Sequence, residues 1–119
     1  MIYTVLHNPR CSKSRKTLEI LQSHGIQPDI VRYLETPPSA DELLSIAKRL
    51  ERPLAELLRR GEATFRDAED LPDLDDAPTL ANWISAHPDT LERPIVLRSD
   101  GAACLGRPPD NVLELIDHE

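Results

Sequence analysis

The chain has 119 residues, the size of one domain, and because only 3% of them are aromatic, aliphatic side chains must form most of its core. No apolar run approaches the roughly 20 residues that span a bilayer, and the first residues lack the basic-then-apolar pattern of a signal peptide, so we expect a soluble cytoplasmic protein without a membrane partner. The formal net charge of −7 argues against a nucleic acid as a partner.

The acidic residues are unevenly distributed. Seven of them lie between Gly61 and Pro78 against a single arginine, so this segment carries nearly all of the net charge. The segment has little hydrophobic periodicity and predicts a loop with one helical turn. An anion-binding site elsewhere in the chain is therefore compatible with the acidic total.

The first third of the chain predicts a strand, a helix and a second strand. Residues 2–6 are apolar and β-branched, which is typical of a buried strand. The helix that follows carries Leu18 and Leu21 on one face and ends near Gly25, which can adopt the left-handed conformation of a helix terminus. Residues 26–34 predict the second strand, which should be parallel to the first because a helix connects the two.

Three helices are predicted in an insertion of about residues 39–88. The first opens with a capping box over residues 39–42. The second has Pro53 in its first turn and Arg59 in its last turn, where the helix dipole favours a cation. The third begins at Pro78.

The last quarter of the chain predicts an antiparallel hairpin and a helix. Strands are expected at residues 94–97 and 102–105, joined by a tight turn, and the helix should bury Val112, Leu113 and Ile116. The complete order of βαβ, helical insertion and ββα predicts an α/β protein with a thioredoxin-like fold, a four-stranded mixed sheet flanked by helices. We expect a single domain over residues 1–119.

Cys11 lies where the first strand turns into the first helix. Four basic residues are close to it in sequence: Arg10, Lys13, Arg15 and Lys16. A helix N-terminus and neighbouring cations favour the thiolate, which is the nucleophilic form of cysteine. Ser14 replaces the second cysteine of a Cys-x-x-Cys motif, so we expect a covalent adduct or a mixed disulfide rather than a local disulfide. A structural cysteine and an ordinary first-turn serine are the alternatives at these positions.

The second cysteine, Cys104, is far from Cys11 in sequence and falls in a predicted strand. We interpret it as a buried core residue, with a resolving thiol as the alternative. The cysteines and the four histidines do not have the spacing of a metal site. We therefore expect free thiols in a reducing compartment and no bound metal.

Three arginines lie at the ends of predicted elements: Arg59 at the end of a helix, Arg93 before the third strand and Arg107 after the fourth. A guanidinium group offers two parallel donors and stays charged, which suits a tetrahedral oxyanion. Each of these arginines alone also fits a solvated surface charge.

Five short motifs follow one another along the chain. They are His7-Asn8-Pro9-Arg10-Cys11-Ser12-Lys13-Ser14-Arg15, Tyr33-Leu34-Glu35-Thr36-Pro37-Pro38, Leu57-Leu58-Arg59, Glu92-Arg93-Pro94-Ile95-Val96, and Gly106-Arg107-Pro108 with Val112-Leu113-Glu114. In this order they resemble the glutaredoxin-dependent arsenate reductase family over essentially the whole chain. The resemblance is greatest to the short, arsenate reductase-like subgroup of that family.

The resemblance implies a function. In that family a cysteine attacks arsenate, glutathione takes up the adduct, and glutaredoxin reduces the mixed disulfide as arsenite is released. It implies arsenate or a similar oxyanion as substrate, glutathione as co-substrate with no bound cofactor, and glutaredoxin as protein partner; we expect a monomer.

The resemblance also assigns site residues. It makes Cys11 the nucleophile and gives the oxyanion to three arginines: Arg59, Arg93 and Arg107. Arg60 is an alternative to Arg59. The supporting residues are His7, Asn8, Ser14, Arg15 and Pro94, and the Arg93–Pro94 bond is expected to be cis.

Other functions stay open at this point. One is a thiol redox protein with another substrate. A second is a non-catalytic regulator related to RNA polymerase-binding proteins of the same fold, although those generally carry Cys-x-x-Cys. A phosphatase-like arsenate reductase is disfavoured, because its loop needs an arginine six residues after the cysteine and this chain has Thr17 there.

Overall fold

The structure is a computed structural model that describes residues 1–118. Over these residues every helix is too short or too polar to cross a lipid bilayer. The elements follow the order β1 (Tyr3–His7), α1 (Ser12–Ser23), β2 (Asp29–Arg32), α2 (Ala40–Leu50), a 3₁₀ turn (Leu54–Leu57), α3 (Ala63–Arg66), α4 (Ala77–Ala86), a 3₁₀ turn (Pro88–Thr90), β3 (Ile95–Arg98), β4 (Ala103–Leu105), a 3₁₀ turn (Pro109–Asn111) and α5 (Val112–Asp117).

The strands form one mixed sheet in the order β2-β1-β3-β4. β1 and β2 are parallel, with Val5 opposite Ile30, and β3 is antiparallel both to β1 and to β4. The predicted α/β architecture, with its parallel βαβ unit and its hairpin, is therefore confirmed. β2 is shorter than residues 26–34 and mostly exposed, because it is an edge strand and Pro28, which has no N–H to give to a sheet, directly precedes it.

The described chain forms two compact units. The first contains Met1–Tyr33 and the chain from Arg93 onward, and the second contains Leu34–Glu92. In the first unit, one apolar cluster is built from strands and helices: Tyr3, Val5, Leu21, Val96, Val112 and Leu115. The second unit corresponds to the predicted insertion with wider bounds. That residues 1–119 fold as a single domain stays a prediction.

Two local features stabilise the second unit. The predicted capping box opens α2: Ser39 Oγ accepts the N–H of Glu42 at 3.1 Å, and a Glu42 carboxylate oxygen accepts the N–H of Ser39. Trp83 stacks on His87 with ring centres 4.3 Å apart and meets Phe65 edge-on. Phe65 belongs to α3, the single helical turn that was predicted in the acidic segment.

The prediction of a helix that stops at Gly61, with Arg59 in its last turn, is wrong. The chain makes only a 3₁₀ turn, which ends at Leu57, and Leu58 then forms an isolated antiparallel bridge with Leu91. The N–H of Arg59 donates to the carbonyl of Thr90 at 2.7 Å. These long-range contacts use backbone groups that a continuing helix would need, and they place Arg59 beyond the helical turn.

The predicted inward face of the last helix is only partly correct. Val112 is buried as predicted, but Leu115 is the second buried residue, and Leu113 and Ile116 are only half-buried. The 3₁₀ turn before α5 sets Val112 as the first inward position, and the next inward position of a helix lies three residues later. The buried pair is therefore Val112 and Leu115.

A buried arginine ties β3 to the end of α5. Arg98 donates to both carboxylate oxygens of Asp100 at 2.8 Å, and its other donors reach the carbonyls of Leu115 and His118. The last carbonyls of a helix have no partner within the helix, so this side chain supplies one. The hydrogen bonds from Arg98 hold the pKa of the Asp100 carboxyl at about 2.

Replacing Asp100 by Asn should lower the free energy of unfolding at pH 7, because the depressed pKa makes the ionised carboxylate a stabilising group in the folded chain. That contribution is present above the ordinary carboxyl pKa, 3.8, and is lost as the pH falls toward about 2. Urea unfolding of the wild type and Asp100→Asn at several pH values checks this. The difference in stability should shrink below pH 4, whereas the exposed-carboxylate control Asp29→Asn should show little difference at any pH. A pH-independent difference would contradict the prediction.

Candidate active site

Asn8 and Pro9 end β1 and turn the chain toward α1. The carbonyl of Asn8 accepts the N–H of Cys11 at 3.0 Å, and Asn8 Oδ1 accepts the N–H of Arg10 at 3.0 Å. Asparagine followed by proline is a combination that such turns favour. Arg15 Nη1 donates to the carbonyl of Pro9 at 2.9 Å, which fastens the turn to the helix. The turn thereby delivers Cys11 to the N-cap of α1.

The Cys11 thiol is half-buried at this helix terminus. Burial raises the pKa of the thiol, but the N–H of Ser14, the guanidinium of Arg93 and the N–H of Lys13 together outweigh it, so the pKa lies below its ordinary value. The first N–H groups of a helix have no partner within the helix and are available to an anion. The site therefore favours the thiolate, and Arg93, distant in sequence, supplies positive charge.

His7 and Ser14 are buried beside the turn. His7 Nδ1 lies 2.7 Å from Ser14 Oγ, which also accepts the N–H of Asn8 at 3.1 Å. Burial, and then the charges of Arg32 and Arg15, hold the pKa of His7 below its ordinary value, so the imidazole is neutral at pH 7. Its proton sits on Nδ1 or on Nε2, and the Ser14 hydroxyl donates to Nδ1 only in the second case.

Ser14 acts in the site through two groups. Its backbone N–H lowers the pKa of Cys11, as any residue at this helix position could do. Its hydroxyl connects His7 to the backbone of Asn8, which links the end of β1 to the first turn of α1. Ser14 is therefore more than an ordinary first-turn serine.

Arg93 and Arg107 belong to the same compact unit as Cys11. Arg93 hydrogen-bonds to the Cys11 sulfur, and the Arg93–Pro94 bond is cis, as the resemblance implied. Arg107 Nη1 donates to the carbonyl of Arg93 at 3.1 Å. Arg107 thus holds the segment that carries Arg93, and its own bond to Pro108 is also cis.

Arg59 lies in the second compact unit and is paired there with two carboxylates. Its Nε lies 3.1 Å from a Glu62 carboxylate oxygen, and its Nη1 lies 3.2 Å from a Glu92 carboxylate oxygen. The Arg59 side chain is 22% exposed, whereas the neighbouring Arg60 is an exposed residue. A role for Arg59 or Arg60 at the Cys11 site stays a prediction.

The pKa of the second cysteine, Cys104, is shifted in the opposite direction from that of Cys11. Burial, and then the charge of Glu114, raise the pKa of the Cys104 thiol to about 12, so Cys104 is a poor thiolate at neutral pH. This favours the interpretation of Cys104 as a core residue over a resolving thiol. Over residues 1–118, no three His, Cys, Asp or Glu side chains are grouped so that they could hold a metal ion.

Two residues near the site escaped the sequence-based prediction. Arg32 lies opposite His7 in the parallel β1–β2 register, and its charge acts on that imidazole. The predicted parallel pairing of the two strands could have indicated this neighbour, because it brings the ends of both strands to one edge of the sheet. Gly106 packs against Pro94 and Thr17, a contact that no sequence spacing indicates.

The fold and the sequence both match known proteins. The model of the ArsC family matches residues 6–115. The chain is 42% identical to an arsenate reductase of Haemophilus influenzae, over 98% of this chain and 100% of that protein. It is 40% identical to the uncharacterized protein YfgD of Escherichia coli K12, over 94% of each chain. The solved structure of an arsenate reductase from Vibrio cholerae superposes with a TM-score of 0.84 at 38% identity, over 96% of this chain and 97% of that one. This chain therefore belongs to the ArsC family.

Proposed function

We propose that this chain is an arsenate reductase that works in the cytoplasm as a monomer, with glutathione as co-substrate and glutaredoxin as partner. The observation that carries the proposal is the Cys11 thiol, whose pKa is lowered at the N-terminus of α1 beside Arg93. A sulfur nucleophile next to a fixed cation is what attack on an oxyanion requires. Relatives named arsenate reductase support arsenate as that oxyanion.

The first step joins sulfur to arsenic without a redox change. The Cys11 thiolate attacks arsenate, an S–As bond forms, and one arsenate oxygen leaves as water after protonation, so arsenic remains As(V). The N–H groups of Lys13 and Ser14, which favour the free thiolate, face the atom at which the bond forms.

The second step transfers the electrons. A glutathione thiolate attacks the Cys11 sulfur, an S–S bond forms, and the electron pair of the S–As bond moves to arsenic, which leaves as arsenite. The two thiolates thus supply the two electrons that reduce As(V) to As(III). Glutaredoxin then takes over the glutathione by thiol–disulfide exchange and restores Cys11. Because Ser14 stands where a Cys-x-x-Cys motif has its second cysteine, the mixed disulfide on Cys11 must be reduced by an external thiol.

The arginines stabilise the charge that builds up on the arsenate oxygens. Arg93 is the first candidate, because its guanidinium already contacts the Cys11 sulfur. Arg107 supports the Arg93 segment and, in the proposed complex, donates to the oxyanion as well. Arg59 is the proposed third donor. Its guanidinium donates to carboxylate oxygens of Glu62 and Glu92, and arsenate oxygens could accept hydrogen bonds from it in the same way.

The supporting residues keep this arrangement in place before substrate binds. Asn8 and Arg15 shape the turn, and His7 with Ser14 fasten the turn to α1. A neutral His7 adds no second cation to the site, so the thiolate depends on the helix N-terminus and on Arg93.

Replacing Cys11 by Ser should abolish arsenate-dependent NADPH oxidation in an assay coupled through glutathione, glutaredoxin and glutathione reductase, because no sulfur remains to bond arsenic. Cys104→Ser is the matched control and should retain the wild-type rate. Equal turnover by the wild type and Cys11→Ser would contradict the proposal. Glutathione attached to Cys11 without any arsenate turnover would identify a thiol redox protein with another substrate.

Replacing Arg93 by Met should raise the pKa of Cys11 and lower kcat for arsenate by about 10² to 10³-fold, the usual loss on removing one oxyanion donor. The pH dependence of Cys11 alkylation by iodoacetamide, followed by peptide mass spectrometry, reports the pKa. Lys16→Met, an exposed cation on α1, is the control and should move the midpoint much less. An unchanged midpoint in Arg93→Met would show that Arg93 does not stabilise the thiolate.

A further inference from the structure

Gly106 occupies a space that no side chain can share. It follows β4, is buried, and donates its N–H to the carbonyl of Pro94 at 2.9 Å. A Cβ atom built on Gly106 would lie 2.6 Å from Thr17 Oγ1 and 2.7 Å from Pro94 Cγ. Its φ is not in the positive range, unlike that of Gly25. Glycine is therefore required here for space, not for backbone conformation.

The Thr17 side of this contact is firmly held. Thr17 is fully buried on α1, one helical turn after Ser14. Its Oγ1 donates to the carbonyl of Lys13 at 2.9 Å, and a β-branched side chain has few rotamers in a helix. The hydroxyl therefore cannot turn away from an added methyl group without losing its hydrogen bond.

Pro94, on the other side of this contact, directly follows Arg93, whose side chain reaches the Cys11 sulfur. The carbonyls of Arg93 and Pro94 are held by consecutive residues, since Arg107 Nη1 donates to the first and the Gly106 N–H to the second. The Arg93 side chain extends from this segment to Cys11. A displacement of Pro94 would therefore move the attachment point of the Arg93 side chain relative to α1.

We propose that Gly106 is a positioning residue of the active site: its missing side chain lets Pro94 and Thr17 of α1 both lie against residue 106, so that the Arg93 guanidinium reaches the Cys11 sulfur. The inference rests on the proposed function in treating Cys11 and Arg93 as the reacting pair. Gly106 itself touches neither arsenate nor sulfur in this scheme.

Gly106→Ala should move the Arg93 guanidinium away from the Cys11 sulfur. Ordinary van der Waals contact begins at 3.4 Å, so the new methyl group must push Thr17 and Pro94 apart by several tenths of an ångström. Charge-assisted hydrogen bonds weaken steeply with distance and angle. A misplacement of about 1 Å can cost on the order of 10²-fold in rate, and we expect a loss of kcat of that order, with a smaller change in KM.

The test is a double-variant cycle read by the pH dependence of Cys11 alkylation. The wild type, Gly106→Ala, Arg93→Met and the combined variant are compared, with Gly61→Ala as the matched control, because a Cβ there meets nothing within 4 Å and its φ is also not positive. Gly106→Ala should raise the alkylation midpoint, and Gly61→Ala should leave it unchanged. The combined variant should match Arg93→Met, since Gly106 acts through Arg93.

Two results would overturn the inference: an unshifted midpoint in Gly106→Ala, or shifts that add in the combined variant, as general loosening of the fold would produce. Thermal unfolding monitors whether each variant is folded. If Gly106→Ala does not fold, Thr17→Ala and the double variant Thr17→Ala/Gly106→Ala replace it, because Thr17→Ala removes one of the two obstructing atoms. Pro94 Cγ would still lie 2.7 Å from the added Cβ, so the double variant should have a higher alkylation midpoint than Thr17→Ala. Identical midpoints in that pair would also overturn the inference.

The alkylation assay contains no arsenate, so the two proposals fail separately. If the midpoints behave as expected but the wild type does not reduce arsenate, the proposed function fails and the positioning role stands. If the wild type reduces arsenate but Gly106→Ala alkylates like the wild type, the positioning role fails and the proposed function stands.

Discussion

The site depends on one competition at the Cys11 sulfur. Burial disfavours the charged thiolate, whereas the N–H of Ser14, the Arg93 guanidinium and the N–H of Lys13 favour it, and their combined effect is larger. Two of these three donors come from the start of α1, so they exist as soon as the strand-turn-helix unit forms. The third comes from a distant segment and requires the sheet. Local structure thus supplies the nucleophile, and tertiary structure supplies the cation that also suits an oxyanion.

The residues around the sulfur leave Arg93 as its cation and hold the Arg93 segment in place. His7 is kept neutral by burial and by nearby arginines, so it does not replace Arg93 as the cation at the sulfur. The Arg93–Pro94 segment is held through both of its carbonyls by Arg107 and Gly106. A rigid attachment matters because a guanidinium stabilises developing charge best when it needs no rearrangement during the reaction.

The parts of the molecule that sequence predicted well are those fixed by local chemistry. The turn before Cys11, the capping box at Ser39 and the hairpin after β3 each follow from residues a few positions apart. The prediction of a helix with Arg59 in its last turn failed because Leu91, more than thirty positions away, pairs with Leu58 and ends the helical turn. The Arg98 contacts to α5 and the space around Gly106 also depend on residues distant in sequence, and one sequence holds no distance information for them.

The most direct measurement is the mass of the protein after incubation with arsenate and glutathione in the absence of glutaredoxin. Without glutaredoxin the second step should stop at the mixed disulfide, so peptide mapping should find one glutathione on Cys11, formed only when arsenate is present. Cys104 should stay unmodified, since burial keeps the pKa of its thiol near 12. An unmodified Cys11 in the presence of arsenate, or equal modification without arsenate, would contradict the assignment of Cys11 as the residue that bonds arsenic.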